Sequence, residues 1–284
     1  MKRLGQQKGF TLVELAIVLV IIGLLIGGIL KGQQLMQNSR VTATIAQIHA
    51  IESATTTFRD TYKAMPGDLT NGDVRVPGCG ANCKNAATGA AGANSDGIVG
   101  QIAWPMIVSQ ATVVPPVGGM IAATAIDAET TLFWAELSKA GLISGITDDG
   151  LNQGVISFGT SHPAARVGGG FVAGYSNGAV PAVAASNGRS NGVYTMTGTV
   201  LSLVLTPQTA ASTTTGAQVL TPSLAAQIDR KQDDGMPGAG DIQAFGPGGT
   251  VTSSCYGGAA FATVPIYVES NISKDCGIYI KIQG

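Results

Sequence analysis

Three groups of residues have the types and spacing that could carry chemistry. The first is the serine of Gly-Tyr-Ser-Asn-Gly at residues 174–178, which matches the G-x-S-x-G turn that presents a nucleophile in many hydrolases. Such a serine needs a following helix, then an acid and a histidine further along the chain. Here Pro181 follows, and both histidines, His49 and His162, precede the serine. We therefore interpret residues 174–178 as a hairpin turn and predict that the chain is not an enzyme.

The second group consists of three aspartates, Asp233, Asp234 and Asp241, which flank the glycine-rich residues 235–240. Flexible, oxygen-rich loops of this kind can coordinate calcium through carboxylate and carbonyl oxygens. We expect calcium to be the cofactor if these aspartates hold one, and a solvated loop is the alternative. No other cofactor is predicted.

The third group is four cysteines, Cys79, Cys83, Cys255 and Cys276. An even number fits disulfides formed in an oxidising compartment, and four cysteines allow three pairings. Closeness along the chain favours Cys79 with Cys83 and Cys255 with Cys276. The spacing of the first pair could also suit a metal, but no second Cys or His pair lies at a matching distance, so disulfides are favoured.

The composition limits the classes of partner and fold. The formal net charge is -1 and only 12% of residues are charged, so a nucleic-acid footprint is not evident. With 45% hydrophobic residues the chain can bury a core. Its 40 glycines and 5% aromatic residues indicate strands, turns and small-residue packing more than a helical bundle.

Residues 10–30 form an apolar stretch that is long enough for a membrane-spanning helix. At about 1.5 Å per residue such a helix crosses a hydrocarbon core of about 30 Å. Three basic residues and no acid precede it: Lys2, Arg3 and Lys8. This charge bias predicts a cytoplasmic N-terminus and an exported remainder.

Glu14 lies five residues into this stretch, and a plain membrane anchor gives no reason for its presence. Fifteen Leu, Ile, Val or Phe side chains in residues 10–30 each favour insertion by about 0.3 to 0.6 kcal/mol, whereas a central acid costs about 2.5 to 3.5 kcal/mol. The summed gain from the apolar side chains exceeds the cost of the acid, so the helix is expected to insert into the membrane, but the Glu14 carboxylate needs a partner there. A secretory signal peptide would be shorter and would end in a small-residue cleavage site, whereas Lys31 follows here.

Residues 9–14, Gly-Phe-Thr-Leu-Val-Glu, resemble the processing motif of type IV pilins and type II secretion pseudopilins. The resemblance implies that a prepilin peptidase/methyltransferase cuts between Gly9 and Phe10 and then N-methylates Phe10. It also implies that Glu14 of one subunit neutralises the terminal amine of Phe10 on its neighbour during assembly. An ammonium and a carboxylate in a low-dielectric setting attract each other more strongly than in water.

Weaker resemblances lie in the rest of the chain. Residues 62–68, 136–145 and 233–241 look like segments of large pilin-like proteins, and a Cys255–Cys276 bond would resemble the disulfide-bounded C-terminal loop of many type IV pilins. The calcium loop of the major pseudopilin is similar to residues 234–238, although this sequence does not match its full ligand pattern.

The elements that position these residues are expected to form a pilin-like α+β fold, in which a long helix packs against a mainly antiparallel β-sheet head. Residues 1–9 are the leader to be removed, 10–62 the long helix with 10–30 transmembrane, and 63–284 the periplasmic or extracellular β-rich head. Within the head we predict a helix over 127–140, a second one starting at Thr221 and Pro222, and these strands: 154–158, 170–175, 193–205, 261–268 and 277–282.

The sequence therefore predicts a structural subunit of a type IV pilus-like or type II secretion pseudopilus filament. Its expected partners are the peptidase, other copies of itself and further pilin-like subunits. It would be a single-pass inner-membrane protein, with a cytoplasmic N-terminus and a periplasmic head, before it enters the filament. The alternative is a periplasmic binding or hydrolytic domain held by an unprocessed anchor.

Overall fold

The fold is known from a computed structural model, and it describes residues 11–83, 97, 99, 129–147, 158–176, 200–206, 218–245, 255–257 and 266–282. The chain divides into two compact units, Met1–Arg40 and Val41–Gly284. Gly9, Phe10 and most of the strands predicted at 154–158, 193–205 and 261–268 lie outside the described residues.

The first element is a single long helix, α1, Leu12–Tyr62. Every residue of α1 up to Arg40 is exposed, whereas beyond it one face is buried by side chains three or four positions apart: Val41, Thr44, Ile48, Ile51, Ala54, Thr55 and Phe58. Lys63 adopts a left-handed backbone conformation with φ of 58°, and Pro66 follows, so the helix ends here.

A four-stranded antiparallel sheet forms the centre of the second unit. Its strands lie in the order β1-β2-β6-β3, with β1 Gly170–Ser176, β2 Val200–Thr206, β3 Ile242–Phe245 and β6 Gly277–Lys281. The short strands β4 (Tyr256–Gly257) and β5 (Ile266–Tyr267) form a separate antiparallel pair. Because β6 lies between β2 and β3, the last described strand is a central one.

The described residues contain three further helices, and the two longer ones pack with the sheets. The three helices are α2 (Gly72–Arg75), α3 (Glu129–Lys139) and α4 (Pro222–Gln232), and a 3-10 turn covers Gly80–Cys83. Phe133, Trp134 and Leu137 of α3 are completely buried and join one hydrophobic core with side chains of α1, α4 and the sheet. That core holds the second unit together through apolar burial.

The predicted α+β class, with a long N-terminal helix and antiparallel sheets, is confirmed. α4 begins as its sequence signals indicate, since the Thr221 side chain accepts from the N–H of Leu224 and Pro222 occupies the first turn. β3 and α2 were not predicted. Each has only four residues, which is too short for a periodic pattern to show in the sequence.

Candidate functional site

The first turn of α1 is closed by reciprocal hydrogen bonds between Thr11 and Glu14. The N–H and the hydroxyl of Thr11 donate to Oε2 of Glu14 at 2.9 and 2.8 Å, and the N–H of Glu14 donates to the Thr11 hydroxyl oxygen at 3.3 Å. This arrangement is a capping box, which satisfies N–H groups that a helix start leaves without partners. Glu14 therefore has a role in its own chain that the sequence analysis missed.

The Glu14 carboxylate keeps the capacity to bind a cation as well. An ionised carboxylate offers about four lone-pair sites, and Thr11 engages Oε2. The lone pairs of Oε1 can therefore accept from an ammonium group. Gly9 and Phe10 lie outside the described residues, so cleavage and methylation there stay predictions.

The helix surface on both sides of Glu14, from Leu12 to Met36, is apolar and exposed. The large exposed side chains are Leu12, Val13, Leu15, Ile17, Val18, Leu19, Val20, Ile21, Ile22, Leu24, Leu25, Ile26, Ile29, Leu30, Leu35 and Met36. In length and composition α1 could cross a membrane, and no other helix among the described residues meets both criteria. The predicted membrane-spanning helix is thus confirmed in length and composition.

The predicted calcium residues lie where α4 leads into β3, and the structure regroups them. One carboxylate oxygen from each of Asp229, Asp233 and Asp234 lies within 4.8 Å of the others. Asp241 is not in this group, and its Oδ1 lies 3.4 Å from Nζ of Lys281. Asp229, and not Asp241, is the third member of the group. It lies one helical turn before Asp233, so helix geometry brings the two side chains close together, which the composition of the loop alone does not reveal.

Each carboxylate of the group already accepts hydrogen bonds from the chain. Asp234 accepts from the N–H of Met236 at 2.7 Å. Asp233 accepts through Oδ2 from the N–H groups of Asp241 and Ile242, the latter at 3.0 Å. These bonds shape the loop between α4 and β3 without any bound ion.

Asp229 is the buried member of the group. Its Oδ1 accepts from the N–H of Gly235 at 3.0 Å and its Oδ2 from the hydroxyl of Tyr267 at 2.7 Å. Burial raises the pKa of Asp229 to about 6, the two hydrogen bonds oppose this rise, and repulsion from Asp234 and Asp233 adds to it. A positive charge placed among the three carboxylates would relieve that repulsion.

The cysteines form two disulfides, Cys79–Cys83 and Cys255–Cys276. The disulfide prediction is thereby confirmed. The second bond is tied to the segment before α4, because Leu220 and Cys276 exchange two backbone hydrogen bonds, each 2.9 Å long. The side chain of Arg230 on α4 also pairs with that of Glu269, which is inside the disulfide-bounded segment.

A buried acid that the sequence analysis did not single out lies on α3. Glu136 is 1% exposed, and its Oε2 accepts from the N–H of Gly67 at 2.7 Å. At Gly72 a Cβ atom would stand 2.6 Å from Oε1 of Glu136, so a larger residue there would require the Glu136 carboxylate to shift. An acid within the apolar run 132–137 was the signal that could have identified it.

Ser176 and His162, the residues that could suggest hydrolase chemistry, lie in different local structures. Ser176 is the last residue of β1, where its backbone pairs with Val200. His162 is 1% exposed and lies against the Trp134 ring. Its Nδ1 is 3.0 Å from Oγ of Ser161. Burial lowers the pKa of His162 to about 4. A pKa this far below neutral makes the His162 imidazole a weak base.

Comparison with known proteins matches only the N-terminal part of the chain. Residues 4–30 match the family described as Prokaryotic N-terminal methylation motif, which is the signature of type IV pilins and pseudopilins. No curated protein and no solved structure matches the chain. The match covers Gly9, Phe10 and Glu14, and it confirms the resemblance seen in residues 9–14.

Proposed function

We propose that this chain, which carries the N-terminal methylation signature of type IV pilins and pseudopilins in residues 4–30, is a structural, non-enzymatic subunit of a type IV pilus-like or type II secretion pseudopilus filament. The observation that carries the proposal is the signature itself, followed by a capped Glu14 and an exposed apolar helix surface. A subunit that leaves lipid for a bundle of like helices needs such a surface.

The proposal assigns a role to each part of the chain. Residues 1–9 are a leader that a prepilin peptidase/methyltransferase removes at the Gly9–Phe10 bond before it methylates Phe10. Residues 10–62 form the helix, with 10–30 in the inner membrane, and residues 63–284 form a periplasmic head that ends up on the filament. Cleavage removes three positive charges and creates an amine close to Glu14 in sequence.

Glu14 is proposed to pair with the amine of Phe10 on a neighbouring subunit. Thr11 holds Oε2 of Glu14 in place, which supports the pairing because the carboxylate needs no reordering to receive the ammonium. In the apolar interior of a helix bundle, an attraction between opposite charges is stronger than in water. This pairing would set the axial position of each incoming subunit.

Mass spectrometry of the mature chain tests the proposal. A species that begins with N-methylated Phe10 is expected, whereas a mature chain that retains Met1 or Lys2 would indicate an unprocessed anchor carrying a periplasmic binding or hydrolytic domain. Gly9→Val should block cleavage, because glycine leaves the backbone unobstructed for the peptidase. Gly5→Val, which makes the same change inside the leader, is the matched control and should be cleaved normally.

We also propose calcium as the ion that the three carboxylates of Asp229, Asp233 and Asp234 would hold, since their oxygens lie within 4.8 Å of one another. Calcium at one hundred times its Kd would stabilise the fold by about 2.7 kcal/mol. The test is thermal unfolding of the detergent-solubilised chain against calcium concentration. A Tm that does not rise with calcium, or that rises equally in Asp234→Asn, would reject calcium as the ligand.

A further inference from the structure

The outer edge of β3 is covered by residues 233–240, which we call the strap. β3 pairs with β6 on its inner side. On the other side the N–H of Ile242 donates to Oδ2 of Asp233 at 3.0 Å, and the N–H of Ala244 donates to the carbonyl of Pro237 at 2.8 Å. The strap therefore takes up two backbone donors of a strand at the edge of the sheet.

The register shows that these two donors point away from the sheet. The N–H of Lys281 in β6 donates to the carbonyl of Asp241 at 2.8 Å, so this carbonyl and then the backbone groups of Gln243 and Phe245 face β6. Ile242 and Ala244 alternate with them and face outward. Their N–H groups are the ones that an added strand would use.

The strap is fixed by contacts of its own. Asp229 on α4 accepts from the N–H of Gly235, and Asp234 accepts from the N–H of Met236. At the far end Gly240 has φ of +75°, and a Cβ atom there would lie 1.9 Å from Oδ2 of Asp233. Glycine at this position lets the Asp233 carboxylate reach β3.

We propose that the strap guards the outer edge of β3 and prevents it from pairing with β3 of a second copy of this chain. An open strand edge presents unpaired N–H and C=O groups and is a template for another strand. Two such edges can pair antiparallel about a two-fold axis, a contact that is identical from both sides. This reasoning rests on the proposed function, in which many copies of the chain share one membrane and would meet through any open strand edge.

This role does not require an ion, because the bonds to β3 come from groups of the chain itself. It gives the Asp233 side chain a task distinct from that of Asp234, whose Oδ1 bonds within the strap. The two adjacent aspartates are therefore a matched pair for an experiment. Both belong to the group proposed to hold calcium, so the experiment is run in chelator.

The experiment compares Asp233→Ala with Asp234→Ala in the full-length chain in detergent, by hydrogen exchange and native mass spectrometry. In Asp233→Ala the Ile242 amide should exchange about ten- to one hundred-fold faster, as expected for the loss of a hydrogen bond to a charged group. The Ile278 and Ile280 amides, which alternate towards β2, should keep their rates. Dimers should increase in this variant and not in Asp234→Ala.

Two further variants keep the test decisive if Asp233→Ala does not fold. Asp233→Asn retains an acceptor oxygen and should exchange more slowly at Ile242 than Gly240→Ala, in which the added Cβ displaces the carboxylate. Unchanged exchange at Ile242 in all Asp233 and Gly240 variants would overturn the proposal. Faster exchange without any increase in dimers would show that the strap covers the edge but does not guard it against a second copy.

Discussion

Glu136 on α3 accepts a 2.7 Å hydrogen bond from the backbone nitrogen of Gly67, which lies in the loop after α1. The bond joins residues 62–68 to residues 136–145, two segments whose likeness to large pilin-like proteins is a prediction from the sequence alone. Both groups are in the core, where a carboxylate is tolerated when donors satisfy it. Their proximity gives a physical reason for a charged residue in an otherwise apolar helix face.

Replacing Glu136 should destabilise the second unit according to what replaces it. Glu136→Ala leaves the Gly67 N–H buried without its acceptor and opens a cavity, which we expect to lower the free energy of unfolding by about 2 to 4 kcal/mol. Glu136→Gln retains an acceptor oxygen, so its free energy of unfolding should fall by less. Chemical denaturation of the detergent-solubilised chain measures both, and equal losses would contradict the importance of the acceptor.

Variants of Glu14 should separate its helix-capping role from its charge. Glu14→Gln keeps an oxygen for the Thr11 donors but loses the negative charge, whereas Glu14→Ala loses both. If the charge pairs with Phe10 of a neighbour, both variants should be processed, and both should yield far fewer filaments in electron micrographs. Thr11→Val, which removes the hydroxyl but keeps the charge, is the control and should assemble better than either. Normal filaments from Glu14→Gln would refute charge pairing.

The two disulfides should differ in how much they stabilise the chain. Cys255 and Cys276 are 21 residues apart and Cys79 and Cys83 are four apart. In the loop-entropy account, removing them by paired Cys→Ala changes should cost about 3 and about 2 kcal/mol respectively. Urea denaturation of the two double variants, run side by side, tests the order. A larger loss for the Cys79 and Cys83 variant would contradict it.

His162 should make the fold sensitive to acid. The pKa of His162 is about 4 in the folded state and 6.5 in the unfolded state. Its contribution to the free energy of unfolding is therefore present above pH 6.5 and is lost as pH falls towards 4. Over this pH range we expect the free energy of unfolding to fall by up to about 3 kcal/mol more in wild type than in His162→Gln. Denaturation between pH 7 and 4 measures the difference. His49→Gln, which changes an exposed histidine, should follow wild type.

Features set by neighbouring residues were predictable from the sequence. The apolar stretch 10–30 indicates the first part of α1, and Thr221 with Pro222 indicates the start of α4, because caps and periodicity act within a few positions. Chain proximity also favoured the disulfide pairs that the structure contains. The capping role of Glu14 was local too, since Thr11 stands at capping-box spacing.

Features that depend on distant parts of the chain were not predictable. Asp229 lies one helical turn before Asp233, which is a local relationship, but the hydrogen bond that orients its carboxylate comes from Tyr267, 38 residues later. Asp241 was expected among the ligands from its place in the glycine-rich loop, but the pairing of β3 with β6 brings Lys281 close to it. Loop composition identifies acids that share a segment, while strand pairing decides which of them converge.

The exposed apolar side chains from Leu12 to Met36 limit the environments in which this chain is stable. At about 1.5 to 3 kcal/mol for each large side chain, contact with water would cost on the order of tens of kcal/mol. A free aqueous pool of the chain is therefore negligible at equilibrium. If the chain is a membrane-held filament subunit as proposed, it must pass directly from one apolar environment to another, and its two-dimensional density in the membrane, not a bulk concentration, would control how fast it is used.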